Sequence, residues 1–216
     1  MESPRQFLLP TPAGAFFAAA EQAEDRLRGF IRLLFAQPAS PAWHDEDDGF
    51  VRRLATAGWI QYLDAPRCAP RDTIEVALQT LLPPLTGSRN ALLADAHGFH
   101  LASTGFTTPQ AEALAALSAD LASLHSRHRR PLAQDLRIYG SAWAIPDAAG
   151  HSQLGFWPLH VGPQRFVLTI SGVPHLNQPE LVDLVWLLHQ RYGPLASALP
   201  APQAADVQAS CKEKVS

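Results

Sequence analysis

The run ALLADAHGFHLAS, residues 91–103, constrains the fold more than any other part of the chain. Two short apolar stretches flank Asp95-Ala96-His97-Gly98, which has aspartate at the first position of a reverse turn and glycine at the fourth. Strands joined this closely must lie antiparallel and side by side. The run therefore predicts a hairpin with strands at 91–94 and 99–103. A helix is expected next, capped by Thr107 or Thr108, with Pro109 in its first turn. Along it Leu114, Leu117, Leu121 and Leu124 recur at steps of three and four residues. Ala111, Ala115, Ala116, Ala119 and Ala122 keep its flanks small. One reading of this stripe is a cover for the chain's own sheet. A sharper one adds contact with the same helix of a second copy.

Three further strands are expected after the helix. Residues 137–145 alternate Tyr139, Ser141, Trp143 and Ile145 onto one face. Residues 153–161 form a strand despite Pro158, which calls for a ladder gap, a bulge or an edge position. Gly162-Pro163-Gln164 turns the chain into a β-forming run at 165–171. A last helix begins after Asn177, with Pro179 in its first turn, and Gly193-Pro194 end it. Upstream of the hairpin, Asp72 is the expected N-cap of a helix that runs through Leu82 and stops at Pro83-Pro84.

The N-terminal part reads as helical. Residues 14–37 place Phe16, Phe17, Ala20, Leu27, Phe30, Ile31, Leu34 and Phe35 at helical spacing, and Pro38 and Pro41 end the pattern. The acidic run Asp45-Glu46-Asp47-Asp48 precedes a short helix at 50–57, where carboxylates complement the positive helix end. We read the run as a solvated cap in preference to a metal site. Residues 59–63 are apolar and of undetermined type. Prolines at 66–70 mark a boundary. Three parts result: an N-terminal helical extension (1–66), an α/β/α domain (70–193) and a flexible tail (194–216) rich in Ala, Pro and Gln.

Composition excludes several roles. The 216 residues carry a net charge of −3, which gives no overall cationic field to recruit nucleic acid or anionic lipid. No apolar run is long enough to span a bilayer. Glu2, Pro10 and Pro12 spoil the pattern of a signal peptide, so a cytoplasmic protein is expected. Of the two cysteines, Cys68 and Cys211, the second falls in the polar tail, and no structural disulfide between them is expected. A single methionine amid abundant Ala, Leu, Arg and Pro suits a GC-rich bacterial genome.

Catalytic chemistry has no anchor. The H-E-x-x-H, G-x-S-x-G and G-x-x-x-x-G-K-[ST] patterns are all missing. His97 and His100 flank the hairpin turn, and His125 and His128 share helical i, i+3 spacing, but no cysteine or carboxylate stands nearby at zinc-site spacing. The basic run at 125–130 complements the negative end of its helix. Cys68 sits in a proline-flanked loop and reads as part of a linker. No catalytic residue, metal or cofactor is expected.

From residue 72 to residue 192 the order is helix, two strands, helix, three strands, helix. This order, the Asp-x-x-Gly hairpin ending in Ala-Ser, the AEALAALSADLASL helix and the FWPLH and RFVLTI strands resemble the Roadblock (dynein light chain) family. Some bacterial members of that family regulate small Ras-like GTPases. The resemblance covers a little over half the chain. It implies an α+β fold of the Roadblock/profilin-like three-layer kind, with a five-stranded antiparallel sheet between helices in the order α-β-β-α-β-β-β-α. The N-terminal helical segment would precede it. It also implies a non-catalytic homodimer, paired through the central helix and the third strand. Candidate interface residues are then Leu114, Leu117, Leu121, Leu124, Tyr139, Ser141 and Trp143. The partner implied is a small GTPase or a component of a larger assembly, with neither nucleic acid nor membrane insertion. Two alternatives stand beside it. One is a small-molecule sensor, which needs a cavity with convergent polar groups. The other is a DNA-binding regulator acting through the N-terminal helices, which their acidic run disfavours.

Overall fold

The structure is a computed structural model, and it describes residues 6–23, 25–43 and 49–193. The acidic run at 45–48 and the tail at 194–216 lie outside the described residues.

The chain opens with strand β1 (Gln6–Pro10) and helix α1 (Pro12–Ala20). Thr11 caps α1, its hydroxyl accepting from the Gly14 N–H at 3.1 Å, and Pro12 occupies the first turn. Helix α2 (Arg26–Ala36) starts afresh at Asp25, whose carboxylate accepts the Arg28 N–H at 2.9 Å. The single helix expected over 14–37 is therefore two helices. The Arg32 guanidinium fixes the bend by donating to the carbonyls of Ala18, Glu21 and Ala23 at the frayed end of α1. Strand β2 (Ala42–Trp43), helix α3 (Gly49–Thr56) and strand β3 (Ile60–Leu63) complete this part. The three strands form an antiparallel sheet in the order β2-β1-β3. The extension, expected to be helical apart from the undetermined stretch at 59–63, is thus mixed and carries a small sheet.

Helix α4 (Ile74–Leu81) takes Thr73 as its N-cap, one residue later than expected, and a 3-10 turn at Pro83–Leu85 follows. Strands β4 (Ala91–Asp95) and β5 (His100–Thr104) are the expected hairpin. The Gly98 N–H donates to the Asp95 carbonyl at 3.2 Å. The Asp95 carboxylate also accepts from the N–H groups of His97 and Phe99, each at 2.9 Å. Gly98 has φ +84, which suits glycine at the end of this turn. Helix α5 (Thr108–Arg130) follows, with a π-helical turn at Pro131–Asp135. Strands β6 (Trp143–Pro146), β7 (Ser152–Val161) and β8 (Gln164–Ser171) precede helix α6 (Pro179–Tyr192).

The second sheet is five-stranded, antiparallel and ordered β5-β4-β8-β7-β6, so the α+β class holds. Helix α5 covers one face, over Leu92, Ala94, Phe156 and Val167. Leu93, Leu159, Phe166, Leu168 and Ile170 point the other way and share one core with Leu184, Trp186 and Leu188 of α6. That core is continuous with Leu8, Leu9, Ile31 and Phe35, so the N-terminal helices pack on the domain. Helix α1 lies against α6 and β7, and α2 against α6. Polar contacts reinforce the seam. The Trp186 indole donates to the Gln37 carbonyl at 2.8 Å, the Gln190 amide to the Phe35 carbonyl at 2.7 Å, and Arg67 pairs with Asp183 at 2.5 Å. Burial raises the Asp183 pKa despite Arg67, which pulls it down. Cys68 is disulfide-bonded, which overturns the expectation of unpaired thiols. The sequence's other cysteine, Cys211, lies outside the described residues.

Candidate interaction surface

Helix α5 meets its own sheet through small residues. Ala111, Ala115, Ser118 and Ala122 are its buried positions. Small side chains let the helix sit close. A Cβ on Gly98 at the hairpin turn would lie 3.1 Å from the Ala116 Cα. This close seat turns the leucine stripe sideways. Leu114 and Leu121 pack against the Ala122–Phe156–Val167 cluster but stay half-buried. Leu124 is also half-buried, and Leu117 is 39% exposed. The stripe, expected as a cover for the sheet with a further share in a dimer contact, flanks the core and does not fill it.

The neighbouring edge of the sheet is equally bare. The strand expected over 137–145 is present only as Trp143–Pro146. The π-helical turn after α5 extends the helical path, and Arg137 takes a left-handed φ of 57°, which breaks any extended run through it. Alternation alone could not reveal that. Ile145 is 51% exposed on β6, and Tyr139 is 68% exposed ahead of it. Leu136 and Ile138 are also exposed, and the sequence reading did not single them out. β6 is the outer strand of its sheet, so one row of its backbone groups has no strand partner.

The seven expected interface residues therefore divide. Leu114, Leu121 and Trp143 are half-buried and pack on the Ala122–Phe156–Val167 cluster between α5 and the sheet. Leu117 and Tyr139 are exposed and Leu124 is half-exposed. Ser141 turns inward instead, its hydroxyl donating to the Ala20 carbonyl at the end of α1, at 3.3 Å. The Trp143 indole donates to His125 Nδ1 at 3.3 Å, and the two rings meet edge to face. That bond locates the proton of neutral His125 on Nε2.

The histidines serve local roles. His97 lies 3.7 Å from the Asp95 carboxylate, and His100 shares a hydrogen bond with Ser103 at 3.1 Å. Burial and the Arg129 charge lower the His125 pKa. Burial, aided by Arg165, Arg32 and Arg129, pushes His160 down to about 4. His189 is buried against Phe35 and also falls to about 4, through burial and the Arg32 charge. Among the described residues, no three His, Cys, Asp or Glu side chains gather as a metal site would need.

No protein-family model matches the chain, and no curated protein matches it in sequence. Three solved structures are similar to part of the chain. One is a Roadblock/LC7 domain from Streptomyces avermitilis, at 15% identity and a TM-score of 0.37, covering 54% of this chain and 95% of that one. A second is MglB of Myxococcus xanthus, at 18% identity and a TM-score of 0.33, covering 54% and 84%. A third is the gliding protein MglB of Thermus thermophilus, at 21% identity and a TM-score of 0.36, covering 59% and 94%.

Proposed function

We propose that this chain is a non-catalytic regulatory protein that pairs with a second copy across α5 and β6. The observation that carries this is the joint exposure of Leu117 on the helix and Ile145 on the adjacent edge strand. Exposed apolar side chains beside an unpaired strand edge form a surface that association would stabilise. The interaction domain in this reading is 70–193, with 1–66 as a brace on its α6 side. Such a dimer presents two copies of every other surface. That suits the partner implied by the sequence resemblance, a small Ras-like GTPase or a larger assembly.

Mass in solution tests the first part. Light scattering coupled to gel filtration at micromolar concentration should give twice the chain mass. A monomer would overturn the pairing. Co-purification from the native cell tests the second, and recovery of DNA with no GTPase would overturn it.

The same reading places the protein in the cytoplasm. Among the described residues, no helix is long and apolar enough to cross a membrane. The disulfide at Cys68 counts on the other side, since disulfides belong to oxidising compartments. Thiol labelling of protein taken from its native cell decides the matter. Two labelled cysteines keep the cytoplasmic assignment, and none overturns it.

A further inference from the structure

The late start of β6 leaves a gap in the sheet. β6 pairs with β7 only as far as Phe156, and beyond that point this side of β7 has no strand partner. Pro158 falls within this stretch, and with no N–H it leaves no ladder donor stranded there. Over the gap lie residues 137–142, the end of α5 and the bend between α1 and α2. Together they line a half-open cavity of about 340 Å³. Its walls therefore come from the five-stranded sheet and from the N-terminal extension together.

The charge in this cavity is lopsided. Arg129 reaches it from α5 and Arg165 from β8. Among the described residues, neither has a carboxylate within ion-pair distance. Glu21 is the only acidic residue in the lining, and Arg28 stands 3.7 Å from it, so its charge is already opposed. Arg165 carries the clearest signal. Its Nε is buried and has no hydrogen-bond partner among the described residues, and its terminal nitrogen makes one long contact, to the Ala96 carbonyl at 3.4 Å. A buried charged donor without a partner is costly and calls for a physical explanation. His160, opposite Arg165 in the β7–β8 ladder, reports the same field. Three arginine charges add to burial in keeping its ring neutral.

We propose that this cavity binds a small organic anion, with a carboxylate or phosphate group held between Arg129 and Arg165. Neutral donors complete the site. His125, with Nδ1 occupied by the Trp143 indole, keeps its proton on Nε2 and acts as a donor. Arginine is suited to this task, because its planar fork matches the oxygens of carboxylate and phosphate. The volume lies at the small end of the roughly 300–1,000 Å³ usual for ligand sites, so the occupant is of metabolite size. The site adjoins the proposed dimer seam, since Tyr139 and Ser141 line it, but its two arginines are not among the seam residues.

Calorimetric titration of the full chain at pH 7.5 tests it, with sodium phosphate and sodium succinate as separate probes and sodium chloride at matched ionic strength as control. The expected result is one saturable site per chain for at least one probe, together with a rise in melting temperature absent from the chloride control. Response to phosphate alone assigns a phosphate ligand, and response to succinate alone a carboxylate. Arg129→Ala, an exposed position at the end of α5, should fold normally and bind at least tenfold more weakly. Arg165→Lys keeps the charge but removes the buried Nε, and it too should weaken binding. No saturable response to either anion, or an unchanged affinity in Arg129→Ala, would overturn the proposal.

Discussion

A Cβ placed on Gly14 would stand 2.0 Å from the carbonyl oxygen of Trp59. That oxygen accepts from the Thr11 N–H at 3.1 Å, while the Thr11 hydroxyl donates to the Gly58 carbonyl at 2.6 Å. The first turn of α1 is therefore pinned onto the backbone that leads into β3, and at Gly14 no side chain stands between the two backbones. Gly14→Ala cannot be accommodated by a rotamer change, because the obstacle is backbone. It should destabilise the protein by about 2–3 kcal/mol. The measurement is a urea unfolding curve, with a lower midpoint and an unchanged slope. A wild-type midpoint would mean that α1 does not approach this turn.

The same contact shows where sequence reading stopped. The hairpin, the order of elements from 72 to 192 and the bounds of α6 were legible, because turn chemistry, proline placement and periodicity are local signals. The N-terminal sheet was not. It pairs Phe7 with Leu63 and Gln6 with Trp43, and strands of two to five residues give no periodicity to detect. The break before α2 left a trace in Asp25, a good N-cap, but the apolar pattern continues across it and masks the interruption. On α5 the leucines dominated the reading, whereas close approach selected Ala111, Ala115, Ser118 and Ala122 for the buried face. Residues 137–142 alternate as a strand does, yet strand formation also needs a partner, and the sequence is silent on that.

Trp186 and Gln190 converge on one acceptor, the Gln37 carbonyl, at 2.8 and 3.0 Å. Trp186→Phe removes the indole donor and some buried volume, and should cost about 2 kcal/mol. Gln190→Ala should cost about 1 kcal/mol, since its contacts lie nearer solvent. The double variant should depart from the sum of the two by more than about 0.5 kcal/mol, because either donor partly compensates for loss of the other. Additive effects would show that the two side chains act separately.

His189 makes stability depend on acid. Its ring stacks on Phe35 with centroids 5.5 Å apart, and its Nε2 has no hydrogen-bond partner among the described residues. Burial, with the Arg32 charge, lowers its pKa from 6.5 to about 4. Between these values the unfolded chain binds a proton that the folded chain refuses. Stability is therefore full above about pH 6.5 and declines as the pH falls towards 4. The decline from this one group is on the order of 3 kcal/mol. His160 acts in the same direction and more weakly, being closer to solvent. His189→Leu should flatten the profile of unfolding free energy between pH 6.5 and 4.5. A profile as steep as wild type would assign the acid sensitivity elsewhere.

Leu117 and Ile145 test the pairing surface without disturbing the core. Leu117 is 39% exposed and Ile145 51% exposed, so a charge at either position remains hydrated in an isolated protomer. Within a paired interface the same charge would lose its water with no partner to replace it, which is strongly unfavourable. Leu117→Glu should therefore raise the dimer dissociation constant at least a hundredfold and halve the mass measured at micromolar concentration. Its circular dichroism should match wild type, and its unfolding free energy, compared at a concentration where both are monomeric, should differ by less than about 0.5 kcal/mol. Ile145→Lys should act the same way from the strand side. If only one of the two variants dissociates the dimer, the seam is confined to that element. If both remain dimeric, the copies meet on another face, and Leu117 with Ile145 is left for a different protein.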